Sequence, residues 1–185
     1  FSGAGYDIAR YSRQLAEHLL KEKRHSIAIL PSHDFTQEIE CTISDVYRAA
    51  GEKLDLQRYL RFPQKPNMED FIRNLHEGKI PDAVYAHGFC SVQVYQALAA
   101  NGISPEQCRL IVTRHCWPGA GFRGLVVAYT WEQYARTLAA LTLMELKASG
   151  GATPQYRSIP CDVVAVETAE DELRVMPPPL PDLSL

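Results

Sequence analysis

Between residues 26 and 166, short apolar runs alternate with stretches whose apolar residues recur at helical spacing, and this alternation restricts the chain to an α/β fold on a mostly parallel sheet. The runs at 26–30, 83–86, 110–113, 124–128 and 161–166 read as strands, and a shorter one is expected at 58–62. Helices fill the intervals. One starts at Asp7 and places Ile8, Tyr11, Leu15, Leu19 and Leu20 on one face. Another, capped by Asp34 or Thr36, runs to Gly51. A third, from about Asn67, aligns Met68, Phe71, Ile72 and Leu75 and ends at Gly78. A fourth spans 88–100 and stops at Asn101-Gly102, and a fifth, capped by Thr130, continues through Leu138, Leu141, Met144 and Leu146 to Gly150-Gly151. The expected architecture is a three-layer α/β sandwich around a mostly parallel sheet. Pro177, Pro178, Pro179 and Pro181 make the last stretch too proline-rich to join it.

Composition narrows the roles open to such a domain. With 46% hydrophobic residues among 185, the chain can bury the core of one domain, or of one and a half lobes. A net charge of −3 leaves no broad cationic surface for phosphate backbones, so any role at DNA has to come from another segment or a partner. No run reaches the roughly 20 apolar residues of a membrane-spanning helix. Cys41, Cys90, Cys108, Cys116 and Cys161 are odd in number and form no CxxC pair, which argues against a disulfide framework and for a reducing, cytoplasmic setting.

Several phrases occur in a recognisable order. His25-Ser26-Ile27-Ala28-Ile29-Leu30 follows a helix carrying Leu15-Ala16-Glu17-His18-Leu19-Leu20. Pro81-Asp82-Ala83-Val84-Tyr85-Ala86 precedes Ala97-Leu98 and Gly102-Ile103, and Ser104-Pro105-Glu106 leads into Leu110-Ile111-Val112. This order resembles the lactose-repressor family of bacterial transcription regulators, whose sensor domains share the fold of periplasmic sugar-binding proteins; the match extends from about Tyr6 to Thr168. The resemblance implies a ligand-sensing module, mainly the C-terminal lobe of an effector-binding domain, that acts on DNA through a helix-turn-helix head expected before Phe1. It assigns residues 1–25 to a helix of the N-terminal lobe, 26–168 to the C-terminal lobe and 169–185 to a tail. It further implies a small-molecule effector, a sugar or other polar metabolite, no cofactor, and a homodimer formed around Val92, Tyr95, Gln96 and the segment containing Phe122.

Three departures from the family pattern bear on the effector. Glu38, Ile39 and Glu40 stand where the family places a sugar-clamping Arg, His87-Gly88 stand where it places Asn-Asp, and Arg114-His115 stand where it places an Asp. Asp and Asn hold sugar hydroxyls through paired acceptors and donors, so their loss weakens the case for a simple sugar.

In an open parallel sheet, ligands bind beyond the carboxyl ends of the strands. The residues expected there are His33, Phe62, His87, Phe89, His115 and Trp117, a mix of rings and imidazoles suited to a small-molecule pocket. His33, His87, His115, Cys90 and Cys116 are also potential metal donors, but no sequence-local ligand spacing supports a metal site. Two rivals remain at this stage. A periplasmic solute-binding protein shares the fold and the pocket, and an α/β enzyme would use Cys90, activated at a helix start, with His115.

Overall fold

The computed structural model describes residues 3–30, 36–61, 65–88, 90–128, 131–147 and 155–175. Its centre is a six-stranded sheet made of β2 (Ser26–Leu30), β3 (Asp55–Arg58), β6 (Ala83–Ala86), β7 (Arg109–Thr113), β8 (Gly124–Ala128) and β10 (Asp162–Val166). The order across it is β10-β8-β7-β6-β2-β3, with every pairing parallel except β10 on β8. All residues of β6 and β7 are buried, as expected of strands covered on both faces.

Two helical layers supply that cover. On one face α1 (Ile8–Lys21) and α2 (Thr36–Ala49) bring Leu15, Ala16, Leu19, Ile39, Ile43 and Tyr47 against Ile27, Ile29, Tyr85 and Ile111. On the other, α3 (Met68–His76), α4 (Cys90–Ala100) and α6 (Ala169–Val175) bring Phe71, Leu75, Val94, Leu98 and Val175 against Leu30, Val84, Val112 and Val126. Alternate residues of each strand feed opposite layers, which is the three-layer sandwich the alternation predicts. Asp7 and Asn67 accept from the backbone N–H groups of Arg10 and Asp70, so both helix starts carry side-chain caps.

The structure adds three details to these expectations. The helix expected to belong to another lobe, α1, lays its apolar stripe on the adjacent sheet face, where Leu15, Ala16 and Leu19 have no exposed area. The strand expected at 58–62 lies earlier, at Asp55–Arg58, where Leu56 pairs with Ile27; Leu60–Arg61, strand β4, turns away to pair antiparallel with β5, Lys65–Pro66. The presumed tail begins as α6, whose start is closed by reciprocal bonds in which the Thr168 hydroxyl donates to Asp171 at 2.8 Å and the Asp171 N–H returns to Thr168 at 3.1 Å. Asp34 and Thr130 as caps, the Gly150-Gly151 stop and the proline cluster from Pro177 lie outside the described residues.

Away from the sandwich, β1 (Gly3–Tyr6) and β9 (Tyr156–Ile159) run side by side as a two-stranded parallel ribbon. The helix α5 (Trp131–Lys147) leaves the end of β8 and rests on this ribbon, with Tyr6 and Tyr134 rings 5.6 Å apart. Among its described side chains only Leu141 is buried, while Leu143, Met144 and Leu146 are exposed, Leu146 by 73%. A ribbon of two strands is marginal on its own, and a helix with this apolar face has more surface to bury than these neighbours cover. Among the described residues no helix is long and apolar enough to cross a membrane.

Candidate functional site

The two edges of the sheet are built differently. At the amino edge, polar groups close on one another. The Asp82 carboxylate accepts from the N–H groups of His25 and Ser26 at 2.7 and 2.8 Å, and the Arg24 guanidinium donates to the carbonyls of Asp82, Gln107 and Pro105. Arg109, at the start of β7, grips both carboxylate oxygens of Glu22 at 3.0 and 3.1 Å and also pairs with Glu167. This edge is stapled shut by charge-assisted bonds.

The carboxyl edge holds the topological switch. From β2 the chain crosses by α2 to β3 on one flank, then returns through α3 to β6 on the other. The helices that follow β2 and β6, α2 and α4, lie on opposite faces of the sheet, the arrangement beside which ligands usually bind in such sheets. His87, immediately after β6, stands at this switch, and His115 follows the adjacent β7 in a turn of 3-10 helix, Arg114–Cys116. Their rings lie 6.1 Å apart at 73°, edge to face, and Tyr85 stands 6.3 Å from His87. The Ser91 hydroxyl ties the start of α4 to this turn by donating to the Cys116 carbonyl at 2.7 Å.

Side-chain polar atoms buried without a hydrogen-bond partner among the described residues concentrate toward this edge. They include the Thr113 hydroxyl, at the last residue of β7, and the Trp117 indole nitrogen. One oxygen of Glu40 and the hydroxyl of Ser12 join them, on early turns of α2 and α1. A buried polar group left unpaired costs about 1–3 kcal/mol, so an edge that keeps several is built for something other than stability. Glu40 is 3% exposed; its other oxygen pairs with Arg58, and burial raises its pKa against the lowering effect of that arginine. Desolvation holds the His115 imidazole below its usual value of 6.5.

Of the six residues expected at the rim, the structure brings His87 and His115 together. Trp117 sits beside them in sequence but turns toward the core, 5.3 Å from Phe122. His33, Phe62 and Phe89 lie outside the described residues. Thr113 and Ser12 escaped the sequence reading because a lone hydroxyl in an apolar strand or helix gives no signal of its own; the fold alone places them.

Among the described residues no three His, Cys, Asp or Glu side chains are grouped as metal ligands. Burial pushes the Cys90 thiol up to about 11, and it donates to the His87 carbonyl at 2.7 Å, so at neutral pH it is a protonated donor rather than a thiolate nucleophile.

The surface expected for a dimer lies across α4. Val92 and Tyr95 are half-buried and Gln96 is exposed, but Phe122 has no exposed area and packs between Trp117 and Tyr95, so it offers a partner nothing directly. The loop beside it is held from α6, where Glu172 accepts from the Gly121 N–H at 3.0 Å and pairs with Arg123 at 3.3 Å.

No family model and no curated relative matches this sequence. Solved structures do match, and they place the chain in the periplasmic-binding-protein-like fold of lactose-repressor-type effector domains. A periplasmic binding protein/LacI transcriptional regulator from Alkaliphilus metalliredigens, complexed with D-xylulofuranose, is 13% identical with a TM-score of 0.67 over 90% of this chain and 66% of its own. A dimeric Lac repressor with an 11-residue C-terminal deletion is 14% identical, with a TM-score of 0.69 over 87% of this chain and 61% of its own. The transcriptional regulator CelR in complex with cellobiose is 17% identical, with a TM-score of 0.69 over 89% and 53%. The chain thus spans between about half and two thirds of these proteins' lengths.

Proposed function

We propose that the chain is the C-terminal lobe, with the hinge strands, of a ligand-sensing regulator similar to the lactose-repressor family. A small polar metabolite binds between this lobe and a second one, favouring one interlobe geometry, and a homodimer passes that geometry to DNA-binding heads outside this chain. The energy available is the ligand's difference in affinity for the two geometries. No covalent step is required, and the setting is cytoplasmic.

The observation that carries this reading is the contrast between the two edges: ion pairs close the amino edge, while buried unpaired polar groups and the His87–His115 pair gather at the switch point of the carboxyl edge. The two-lobed arrangement is supported by the ribbon of β1 and β9 and by the exposed apolar side of α5, a surface that a second lobe would cover. The half-buried Tyr95 and Val92 on α4 support a dimer surface there. A periplasmic solute-binding protein would share lobe and rim. An enzyme centred on Cys90 is disfavoured by the protonated thiol.

A thermal-shift screen of the full-length protein against sugars, nucleosides and organic acids tests the reading, since a ligand bound only by the folded state raises the midpoint. A stabilising compound whose effect disappears in His87→Ala/His115→Ala, with DNA affinity altered by the same compound, is the expected outcome. Turnover of any stabilising compound, or a ligand effect indifferent to both histidines, contradicts it.

A further inference from the structure

We propose that the lobe holds a second ligand site, away from the carboxyl edge, in a cavity between the end of α4 and the start of β7, and that its ligand is a small carboxylate bearing one apolar ring. The inference does not depend on the sensor reading.

The cavity measures about 220 Å³. Leu98 from α4, Ile103 and Cys108 from the connection, and Leu110 from β7 line it, all four buried, together with the half-buried Tyr95 and Arg123. An apolar cavity of about 150 Å³ stays dry and holds a benzene ring, so this one has room for a ring with a short arm.

Arg123 supplies the polar end. Its Nη1 donates to the Phe122 carbonyl at 2.7 Å and to Glu172 at 3.3 Å, while its Nε and Nη2 have no hydrogen-bond partner among the described residues. Arg109 shows the same group filled: Nη1 pairs with Glu167, and Nε and Nη2 hold the two oxygens of Glu22 at 3.1 and 3.0 Å. The edge that Arg123 leaves open is the one that Arg109 gives to a carboxylate, two parallel N–H donors spaced for two oxygens.

The neighbouring acceptors are engaged. Glu172 is held by Arg123 and by the Gly121 N–H, at 3.0 and 3.2 Å from its two oxygens. Asp82, whose charge reaches Cys108, accepts from the N–H groups of His25 and Ser26, and Glu22 pairs with Arg24, which donates to the Pro105 carbonyl in the cavity wall. On α6, Glu170 pairs with Arg174 and Asp171 with the Thr168 hydroxyl. The carbonyls of Ala97, Leu98 and Ala99, at the negative end of α4, accept from Asn101, Ile103 and Gly102. Glu106 is exposed, where water screens it. Asp182 lies outside the described residues. Tyr95 is shared with the surface proposed for a dimer, so a second copy is the rival occupant.

The test uses the full-length protein and three probes: phenylacetate, with ring and carboxylate, 2-phenylethanol, with the ring alone, and acetate, with the charge alone. Calorimetry is expected to show phenylacetate binding at least roughly tenfold more tightly than either. Ala99→Phe, at an exposed helix position lining the cavity, should remove that binding and leave the ligand-free thermal midpoint in place. Arg123→Gln should weaken it at least roughly tenfold, Arg123→Lys, which keeps the charge and loses the fork, should fall between, and His87→Ala/His115→Ala should not change it. Equal binding of 2-phenylethanol, survival of phenylacetate binding in Ala99→Phe, or no binding at millimolar concentration overturns the proposal. Binding lost in His87→Ala/His115→Ala but kept in Arg123→Gln moves the probe to the carboxyl edge, which overturns this site and leaves the sensor reading standing. If phenylacetate does not bind and Ala99→Phe turns a dimer into a monomer in sedimentation, the cavity belongs to a second copy and the proposal fails.

Discussion

The imidazoles of His87 and His115 meet edge to face 6.1 Å apart, although 28 positions separate them in the sequence, because β6 and β7 are parallel neighbours in register from Ala83↔Arg109 to Ala86↔Val112. A parallel pair delivers its following segments to the same edge. A ligand bound at this edge, as proposed, would meet both rings.

His115 gives that edge a pH dependence with a defined sign. Burial lowers its folded pKa below 6.5, so the unfolded chain binds the proton more readily. Its contribution to stability is complete above the unfolded value and declines as pH falls through it toward the folded one. Thermal midpoints measured from pH 8 to 5 should therefore decline more steeply below about 6.5 in the native chain than in His115→Gln. Parallel curves would show that the ring is not desolvated.

Arg109 is the cation that closes the amino edge, bound twice to Glu22 and once to Glu167. Arg109→Met strands Glu22 beside Arg24 and should cost about 3 kcal/mol in urea unfolding. Adding Glu22→Gln should deepen that loss, because Arg24, whose side chain is 12% exposed, then loses its carboxylate partner. Ligand binding at the far edge should be unchanged in both.

Gly124 starts β8 opposite Leu110. A Cβ there would collide with the Leu110 carbonyl oxygen and come within 2.6 Å of the Phe122 ring, so β7 and β8 would have to part. Gly124→Ala should destabilise by about 1–3 kcal/mol, read as a lower urea midpoint with a similar slope. An unchanged midpoint would mean that the register is wrong.

On α5, Leu143, Met144 and Leu146 are exposed. Changing all three to Gln should leave the stability of the 185-residue chain within about 0.5 kcal/mol per site and reduce its binding of hydrophobic dyes. In the full-length protein the same changes should cost more, as the proposed second lobe would cover that face. Equal cost in the two would argue against the second lobe.

The legible parts of this fold were those where one physical signal acts alone. Val84, Ile111 and Val126 lie in runs apolar enough to require burial on both faces, and Gly78 and Gly102, at φ of 76° and 66°, end helices where the reading places their stops. The strand β3 was displaced in the reading because Asp55-Leu56-Gln57-Arg58 is an edge strand with one apolar residue, while the more hydrophobic Tyr59-Leu60 drew it forward. The ribbon escaped notice for a related reason: Gly3-Ala4-Gly5-Tyr6 and Tyr156-Arg157-Ser158-Ile159 are short and largely not buried, so neither carries a burial pattern. The antiparallel sense of β10 comes from its route. The chain returns from β9 near the carboxyl edge, so Asp162 pairs with Ala128 and Val166 with Gly124. Of the site, His87 and His115 were readable because they follow obvious strands, whereas the inward turn of Trp117 depends on Phe122, which no local pattern couples to it.

Hydrogen–deuterium exchange on the full-length protein, with and without a compound that stabilises it, tests the central claim most directly. The account predicts ligand-dependent protection in segments spanning 85–92 and 111–118, together with the ribbon strands at 3–6 and 156–159, and none around Arg24, Asp82 and Arg109. Protection concentrated at that amino edge, or spread evenly over the lobe, would contradict it.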